Sequence, residues 1–163
     1  MKIVLLTHQR ELSKASNTGQ LVMECLGGMG GGVMVERVTW DRVNPNLGLV
    51  EGVESNAIAL LFPKEESEQG REAGNAADFE NFIILDGTWQ EARKIYNKSP
   101  YLKAASKVSL GNCATSQYSK RRNQIVGGLC TAEAVIALLK VKGKSQLADN
   151  VQQAFDRFNG SSL

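Results

Sequence analysis

Asp86 is the residue whose type and position most clearly favour chemistry. It follows the apolar run at 81–85 and precedes a segment, 90–97, whose pattern predicts a helix. A carboxylate at a strand tip, beside the N–H groups of a helix amino terminus, can orient a ligand or take a proton from it. The same aspartate could instead cap the helix through a hydrogen bond to a following amide. The role of Trp89 also has two interpretations, because its ring could pack into the core or form a stacking surface for a ligand.

His8 and the cysteines are the other side chains whose reactivity needs an explanation. His8, the only histidine, follows the first apolar run and could take part in catalysis, cap a turn or pack. The three cysteines are widely spaced and form no CxxC pair, so the sequence predicts neither a metal site nor a redox centre. Cysteines of this kind suit packing positions in a reducing compartment, and we expect a cytoplasmic protein.

Charge is distributed unevenly along the chain, although the net charge is only +2. Residues 1–92 hold 7 Lys/Arg and 14 Asp/Glu, whereas residues 93–144 hold 11 Lys/Arg and one acid, Glu133. A basic block of this kind attracts a polyanion such as RNA. Solvated helix faces would produce the same composition, so charge by itself leaves the partner open.

The length of 163 residues predicts one domain, 1–163, with a single apolar core. No apolar run approaches the roughly 20 residues that a membrane helix needs, so we expect no membrane partner. The first ten residues are typical of a strand rather than of an export signal. The glycine tract 27–32 lacks the Lys-Ser/Thr of a phosphate-binding loop, and we interpret it as a connection.

Short apolar runs alternate with helical patterns along the chain. The apolar runs predict strands at 2–6, 33–40, 57–62, 81–85 and 107–110. The helical patterns start at 16 or 17 and end at 26, and then cover 90–97, 130–140 and 146–158. This alternation predicts an α/β fold, a mostly parallel sheet with helices on both faces, with 47–53 as a further apolar segment and 64–80 as a surface excursion. Ligands bind such sheets beyond the carboxyl ends of the strands, which here means residues near 7–8, 62–63, 86–89 and 110.

Four blocks of the sequence, in the expected order, resemble the DTW-domain family. The blocks are THQRE at 7–11 with Asn17-Thr18-Gly19, LDGTWQEARK at 85–94 with SPYL at 99–102, SQYSKRR at 116–122, and LCTAEA at 129–134. Many family members carry a cysteine cluster ahead of the first block, which this sequence lacks. The RNA that is recognised is therefore less well defined than the chemistry.

The resemblance implies an enzyme that uses S-adenosylmethionine, without a catalytic metal, to transfer the 3-amino-3-carboxypropyl group to N3 of a uridine in tRNA or another structured RNA. It also implies a SPOUT-like α/β domain and raises the question of a carboxyl-terminal trefoil knot. Two other functions stay open, namely a SPOUT-type RNA methyltransferase and a non-catalytic RNA-binding module. The oligomeric state also stays open.

The resemblance assigns roles to individual residues. Asp86 would be catalytic, either by assisting removal of the N3 proton or by positioning the uracil edge or the amino group of the donor. The residues expected to contact the cofactor are Thr88, Trp89, Leu110, Ser116, Tyr118, Leu129, Cys130, Thr131 and Glu133, with a purely structural helix-start role as the alternative for Glu133. The expected RNA contacts are Arg93, Lys94, Lys120, Arg121 and Arg122. Further candidates for the site are His8, Arg10, Asn17 and Thr18.

Overall fold

A computed structural model describes residues 1–27, 32–61, 75–108 and 130–160. Within these residues five strands and six helices follow one another. Their bounds are β1 Lys2–Thr7, α1 Thr18–Leu26, β2 Met34–Thr39, α2 Leu47–Glu54, β3 Ala59–Leu61, β4 Asn81–Asp86, α3 Trp89–Asn97, α4 Pro100–Lys103, β5 Ser106–Val108, α5 Thr131–Val141 and α6 Ser145–Gly160.

The strands form one parallel sheet in the order β2-β1-β4-β3-β5. Successive side chains of a strand point to opposite faces, so Ile3 and Leu5 belong to one core while Val4 and Leu6 belong to the other. The helices α1, α5 and α6 cover the first core, and α2, α3 and α4 cover the second. The predicted α/β architecture, with helices on both faces of a parallel sheet, is confirmed.

Some element boundaries differ from the prediction, for identifiable reasons. Residues 47–53, predicted only as an apolar segment, lie in helix α2, which Asn46 caps by accepting a hydrogen bond from the Leu49 N–H at 3.1 Å. Strand β3 is shorter than the run at 57–62 because the N–H groups of residues 57 and 58 donate to the carbonyl of Gly52. The short helix α4 was not predicted, and it begins with Pro100 at its first position, where a missing N–H is harmless.

Several predicted features lie outside the described residues, including most of the glycine tract, residues 64–74 of the excursion and the end of the run at 107–110. The SPOUT-like relationship and the trefoil knot stay predictions. In the part of the chain that the structure describes, no helix is long and apolar enough to cross a membrane.

Candidate functional site

The carboxyl ends of the two central strands meet at the candidate site. Thr7, the last residue of β1, pairs with Asp86, the last residue of β4. The chain then turns through Gly87 and Thr88 into α3, and we call this turn the corner. The amino terminus of α3 is capped by Thr88 rather than by Asp86. The Asp86 carboxylate is therefore left for other partners.

The Asp86 side chain is fully buried, at 0 % exposure, and accepts four hydrogen bonds. Its Oδ1 accepts from Asn17 Nδ2 at 3.0 Å and from Thr131 Oγ1 at 2.7 Å. Its Oδ2 accepts from Thr7 Oγ1 at 3.0 Å and from Arg37 Nη2 at 3.2 Å, and the last contact is also an ion pair. Buried carboxylates are stable only when paired and hydrogen-bonded, and this one is both.

The four donors come from four different elements. Thr7 ends β1, Asn17 caps α1 by accepting from the Gln20 N–H at 2.8 Å, Arg37 lies on β2, and Thr131 is the first residue of α5. The first, second and fourth sequence blocks thus meet at one carboxylate, although Thr7 and Thr131 are 124 positions apart in the sequence. We call Asp86 and these four donors the Asp86 network.

Gly19 makes this close approach possible. A Cβ atom built at Gly19 would lie 2.3 Å from Asp86 Oδ2 and 2.6 Å from its Cγ, which is far inside ordinary contact distance. Only glycine lets helix α1 pack directly against the carboxylate. The third residue of the Asn17-Thr18-Gly19 motif is therefore explained by packing at the site.

Arg37 is the member of the network that sequence analysis missed. Its guanidinium donates to Thr7 Oγ1 at 3.1 Å, to Gln20 Oε1 at 2.8 Å and to Asn17 Oδ1 at 2.6 Å, in addition to Asp86. The planar fork of an arginine suits this multiple recognition, whereas a lysine could not match it. An arginine on an edge strand ordinarily faces solvent, so its sequence context gave no signal of this role.

A second polar cluster lies beside the first, on the other side of Asn17. Asn17 Nδ2 also donates to Glu11 Oε1 at 3.2 Å, and Glu11 Oε2 is 2.8 Å from Lys14 Nζ. Glu91 Oε2 lies 3.5 Å from His8 Nδ1 and 3.8 Å from the same ammonium of Lys14. The two carboxylates are buried, so this acidic pair is shielded from water under the corner.

Glu91 combines a structural role with an altered acidity. Its Oε1 accepts from the Thr88 N–H at 2.9 Å, while Thr88 Oγ1 accepts from the Glu91 N–H, which completes a capping box. Burial opposes ionisation, but the hydrogen bonds from Thr88 and Glu11 and the charge of Lys14 outweigh it and lower the pKa of Glu91. The carboxylate form of Glu91 therefore stabilises the corner.

His8 and Trp40 form one wall of the site. His8 caps a short turn, with Nδ1 accepting from the Arg10 N–H at 3.1 Å, and its ring lies 5.7 Å from that of Trp40. Trp40 Nε1 donates to Ser99 Oγ at 2.9 Å, which fixes the indole. The cap and the ring contact together hold the His8 imidazole in place beside Trp40.

Trp89 and the start of α5 complete the described part of the corner. Trp89 is half-buried and lies under the Arg93 guanidinium, 5.6 Å from the ring centroid, while Arg93 and Lys94 are exposed. Glu133 Oε1 accepts from the Cys130 N–H at 3.2 Å, which is the helix-start role that the sequence left open. Burial first of all, together with the charge of Glu133, raises the pKa of the Cys130 thiol to about 12.

The remaining candidates divide into two groups. Thr18 is buried and accepts from the Ala132 N–H at 3.1 Å, which ties α1 to α5, whereas Arg10 is exposed. The other predicted residues lie outside the described residues and stay predictions: Leu110, Ser116, Tyr118, Lys120, Arg121, Arg122 and Leu129. In residues 1–27, 32–61, 75–108 and 130–160, no group of three His, Cys, Asp or Glu could hold a metal ion.

Comparison with known proteins relates this geometry to a family. The model of the DTW domain matches residues 1–163. The chain is 27% identical to a tRNA-uridine aminocarboxypropyltransferase 2 from Drosophila melanogaster over 140 residues, which cover 86% of this chain and 55% of that protein. It is 26% identical to the protein of the same name from Macaca fascicularis over 151 residues, which cover 88% of this chain and 48% of that protein.

The chain thus spans about half the length of the curated relatives it matches. No solved structure matches it. Because the family model extends over the whole sequence, and the described parts of its blocks meet at the Asp86 network, the chain belongs to the DTW-domain family.

Proposed function

We propose that this protein transfers the 3-amino-3-carboxypropyl group of S-adenosylmethionine to N3 of a uridine in tRNA. The observation that carries the proposal is the convergence of three separated sequence blocks on the Asp86 carboxylate, at the carboxyl edge of a parallel sheet. Membership of the DTW family and the activity named for the two relatives support the same function.

The described residues of the corner suit such a donor chemically. The half-buried ring of Trp89 offers a surface on which adenine can stack. When bound, S-adenosylmethionine supplies the transferred group: the bond from N3 to the γ-carbon forms, the bond from that carbon to sulfur breaks, methylthioadenosine leaves and the N3 proton passes to an acceptor.

For Asp86 we propose positioning rather than proton removal. Each carboxylate oxygen already accepts two hydrogen bonds, and the side chain has no exposed surface. A base must come within hydrogen-bond reach of the proton it takes, which would require Asp86 to give up one of these donors. In the network Asp86 fixes the start of α5 through Thr131 and the end of β1 through Thr7.

This fixed frame is what the chemistry needs. The same donor can yield a methyl group or an aminocarboxypropyl group, and the orientation of the attacking atom selects the carbon. A small displacement of the reacting groups lowers the rate by a large factor. The hydrogen bonds that hold the surrounding loops in place therefore affect the rate directly. We therefore expect the Asp86 network to act on turnover through the geometry of the loops that follow β1 and β4 and of the amino terminus of α5.

The other proposed contacts follow from exposure. Trp89 is half-buried, and the Thr88 hydroxyl and the Glu133 carboxylate already act in capping boxes. Thr88, Cys130, Thr131 and Glu133 would then contribute to the donor site mainly through backbone groups. Leu110, Ser116, Tyr118 and Leu129 stay proposed donor contacts on the strength of the family blocks.

Analysis of the co-product tests the proposed reaction. The purified chain is incubated with S-adenosylmethionine and unfractionated tRNA, and the nucleoside products of the donor are separated by chromatography. Methylthioadenosine that appears only when tRNA is present is the expected result. S-adenosylhomocysteine would instead indicate an RNA methyltransferase, and tRNA binding without either product would indicate a non-catalytic RNA-binding module.

Three substitutions separate a positioning role of Asp86 from proton removal by Asp86. Thr131→Val keeps the shape of the side chain but removes the donor to Asp86 Oδ1. If Asp86 acts through its network, Thr131→Val and Asp86→Asn both lower kcat, and Thr131→Ser restores most of it. If Asp86 takes the proton itself, Asp86→Asn abolishes turnover while Thr131→Val leaves kcat nearly unchanged.

A further inference from the structure

The fold places the two described ends of the basic block, residues 93–107 and 140–144, on different surfaces. Lys142 is used internally, because its ammonium donates to the carbonyls of Ala76 at 3.3 Å and Phe79 at 2.8 Å and pairs with Glu80 at 3.0 Å. Lys140 and Lys144 flank it, on the layer formed by α1, α5 and α6. The late part of the block therefore lies on the opposite face of the sheet from α3.

The early part of the block, which we call the strip, is rich in positive charge and begins next to the site. Between residues 93 and 107 the sequence has five cations and no acid. Four of these cations are exposed and one is half-buried; in chain order they are Arg93, Lys94, Lys98, Lys103 and Lys107.

The positions of these side chains make the strip run away from the corner. Helix α3 begins at Trp89 in the site, and its cation Lys94 lies one turn before Lys98, which caps the far end. Beyond it, Lys107 Nζ donates to the carbonyl of Lys103 at 3.4 Å and lies 5.3 Å from the ring centroid of Tyr96 on α3. The end of α3, α4 and β5 thus present one positive surface.

We propose that this strip, residues 93–107, receives the phosphate backbone of the RNA that carries the target uridine. From Trp89 to Lys98 the helix rises about 13 Å, at ~1.5 Å per residue. One strand of a nucleic acid helix carries a phosphate roughly every 3.4 Å of its axis, so the strip can face about four phosphates. Helix α2, which packs against α4 and carries Glu51 and Glu54, limits the positive surface on that side.

This inference rests on the RNA-modifying function proposed above and adds a direction of approach to it. The backbone would enter along α3 and place a base at the corner beside Trp89, whose ring is held by Arg93. Phosphate contacts of this kind set orientation and affinity without reading sequence.

Two matched double variants test the strip. Lys98→Gln with Lys103→Gln removes two charges from it, and Lys140→Gln with Lys144→Gln removes two charges from the other layer. Binding of fluorescently labelled, unfractionated tRNA is measured by anisotropy over a range of KCl concentrations. All four positions are helix-end or surface sites away from the core, so both variants should keep the circular dichroism spectrum and Tm of the parent chain.

The strip variant is expected to bind tRNA roughly tenfold or more weakly at about 0.1 M salt, with the slope of log K against log salt reduced by about 1.5 to 2. The control variant should change affinity less than about twofold. Equal losses in the two variants, unchanged binding in the strip variant, or no tRNA binding by the parent chain would each overturn the inference.

A separate measurement distinguishes this failure from that of the proposed function. Binding of S-adenosylmethionine, followed by calorimetry, should be the same in both variants and the parent. If the parent releases methylthioadenosine with tRNA but the strip variant binds RNA normally, the proposed RNA-binding role of the strip is wrong and the proposed reaction is supported. If the strip variant loses RNA affinity and the parent forms no product, the RNA-binding role of the strip is supported and the proposed reaction is wrong.

Discussion

Replacing Gly19 by alanine should reverse the usual effect of that substitution in a helix. Alanine normally stabilises a helix by about 1 kcal/mol relative to glycine. At Gly19, however, the new Cβ would meet all three atoms of the Asp86 carboxyl group, at 2.3, 2.6 and 2.7 Å. Ordinary contact begins at 3.4 Å, so helix α1 and the carboxylate must separate by about 1 Å.

The energetic consequence follows from the contacts of Asp86. Its four hydrogen bonds span 2.7 to 3.2 Å and come from different directions, so a shift of about 1 Å breaks at least one of them. Loss of one hydrogen bond to a buried charge costs about 1.5–3 kcal/mol, and the overpacking itself costs about 1–3 kcal/mol. After the gain in helix propensity, we expect Gly19→Ala to lower the free energy of unfolding by about 1.5–5 kcal/mol.

Urea denaturation followed by circular dichroism measures this difference directly. Gly160→Ala is the matched control, because nothing lies within 4 Å of a Cβ at Gly160, and it should change stability by less than about 0.5 kcal/mol. Transfer activity of Gly19→Ala, measured under conditions where the variant is folded, should fall with the network. A Gly19→Ala protein as stable and as active as the parent would refute the packing of α1 against Asp86.

Three further predictions concern Glu91, Cys130 and Lys142. Glu91→Gln should destabilise the protein most near neutral pH. The folded-state pKa of Glu91 lies below the ordinary 4.5, so its carboxylate contributes stability that is present above pH 4.5 and is lost as pH falls. A difference in free energy of unfolding between variant and parent that grows on acidification would contradict this prediction. Cys130, with a pKa of about 12, should resist iodoacetamide in the native protein at about pH 8 and should react after unfolding. Peptide mass spectrometry measures this labelling, and rapid labelling of the native protein would contradict the burial of Cys130. Lys142→Met should lower the free energy of unfolding by about 1–3 kcal/mol because it leaves two backbone carbonyls without their hydrogen bonds from Lys142, whereas Lys144→Met should change it by less than about 0.5 kcal/mol. Equal effects of the two substitutions in urea denaturation would argue against these hydrogen bonds of Lys142.

The architecture could be predicted from sequence because its signals are local. Apolar runs such as 81–85 are long enough to indicate buried parallel strands, and Asn17 is a recognisable helix cap. Helix α2 was harder, since its two glycines weaken the helical pattern of residues 47–54. Its Asn46 cap was the available signal.

The site was predictable only in part, because its bonds join distant positions. The sequence could place Asp86 at a strand end but left its partner open between a capping amide and a ligand, and the structure gives that cap to Thr88. Nothing in the surroundings of Arg37 indicates its four acceptors, because strand alternation fixes only the face of the sheet and not the partner. The pairing of Glu11 with Glu91 likewise depends on β1 and β4 being neighbours.

Mass spectrometry of nucleosides tests the central claim most directly. Unmodified tRNA is incubated with the chain and S-adenosylmethionine, digested to nucleosides and compared with parallel samples that contain Asp86→Asn or no protein. We expect the parent chain to form a uridine that is heavier by one 3-amino-3-carboxypropyl group, with the substituent on N3. We expect much less of this nucleoside with Asp86→Asn. A methylated nucleoside, or no new nucleoside from a chain that binds both the donor and tRNA, would contradict it.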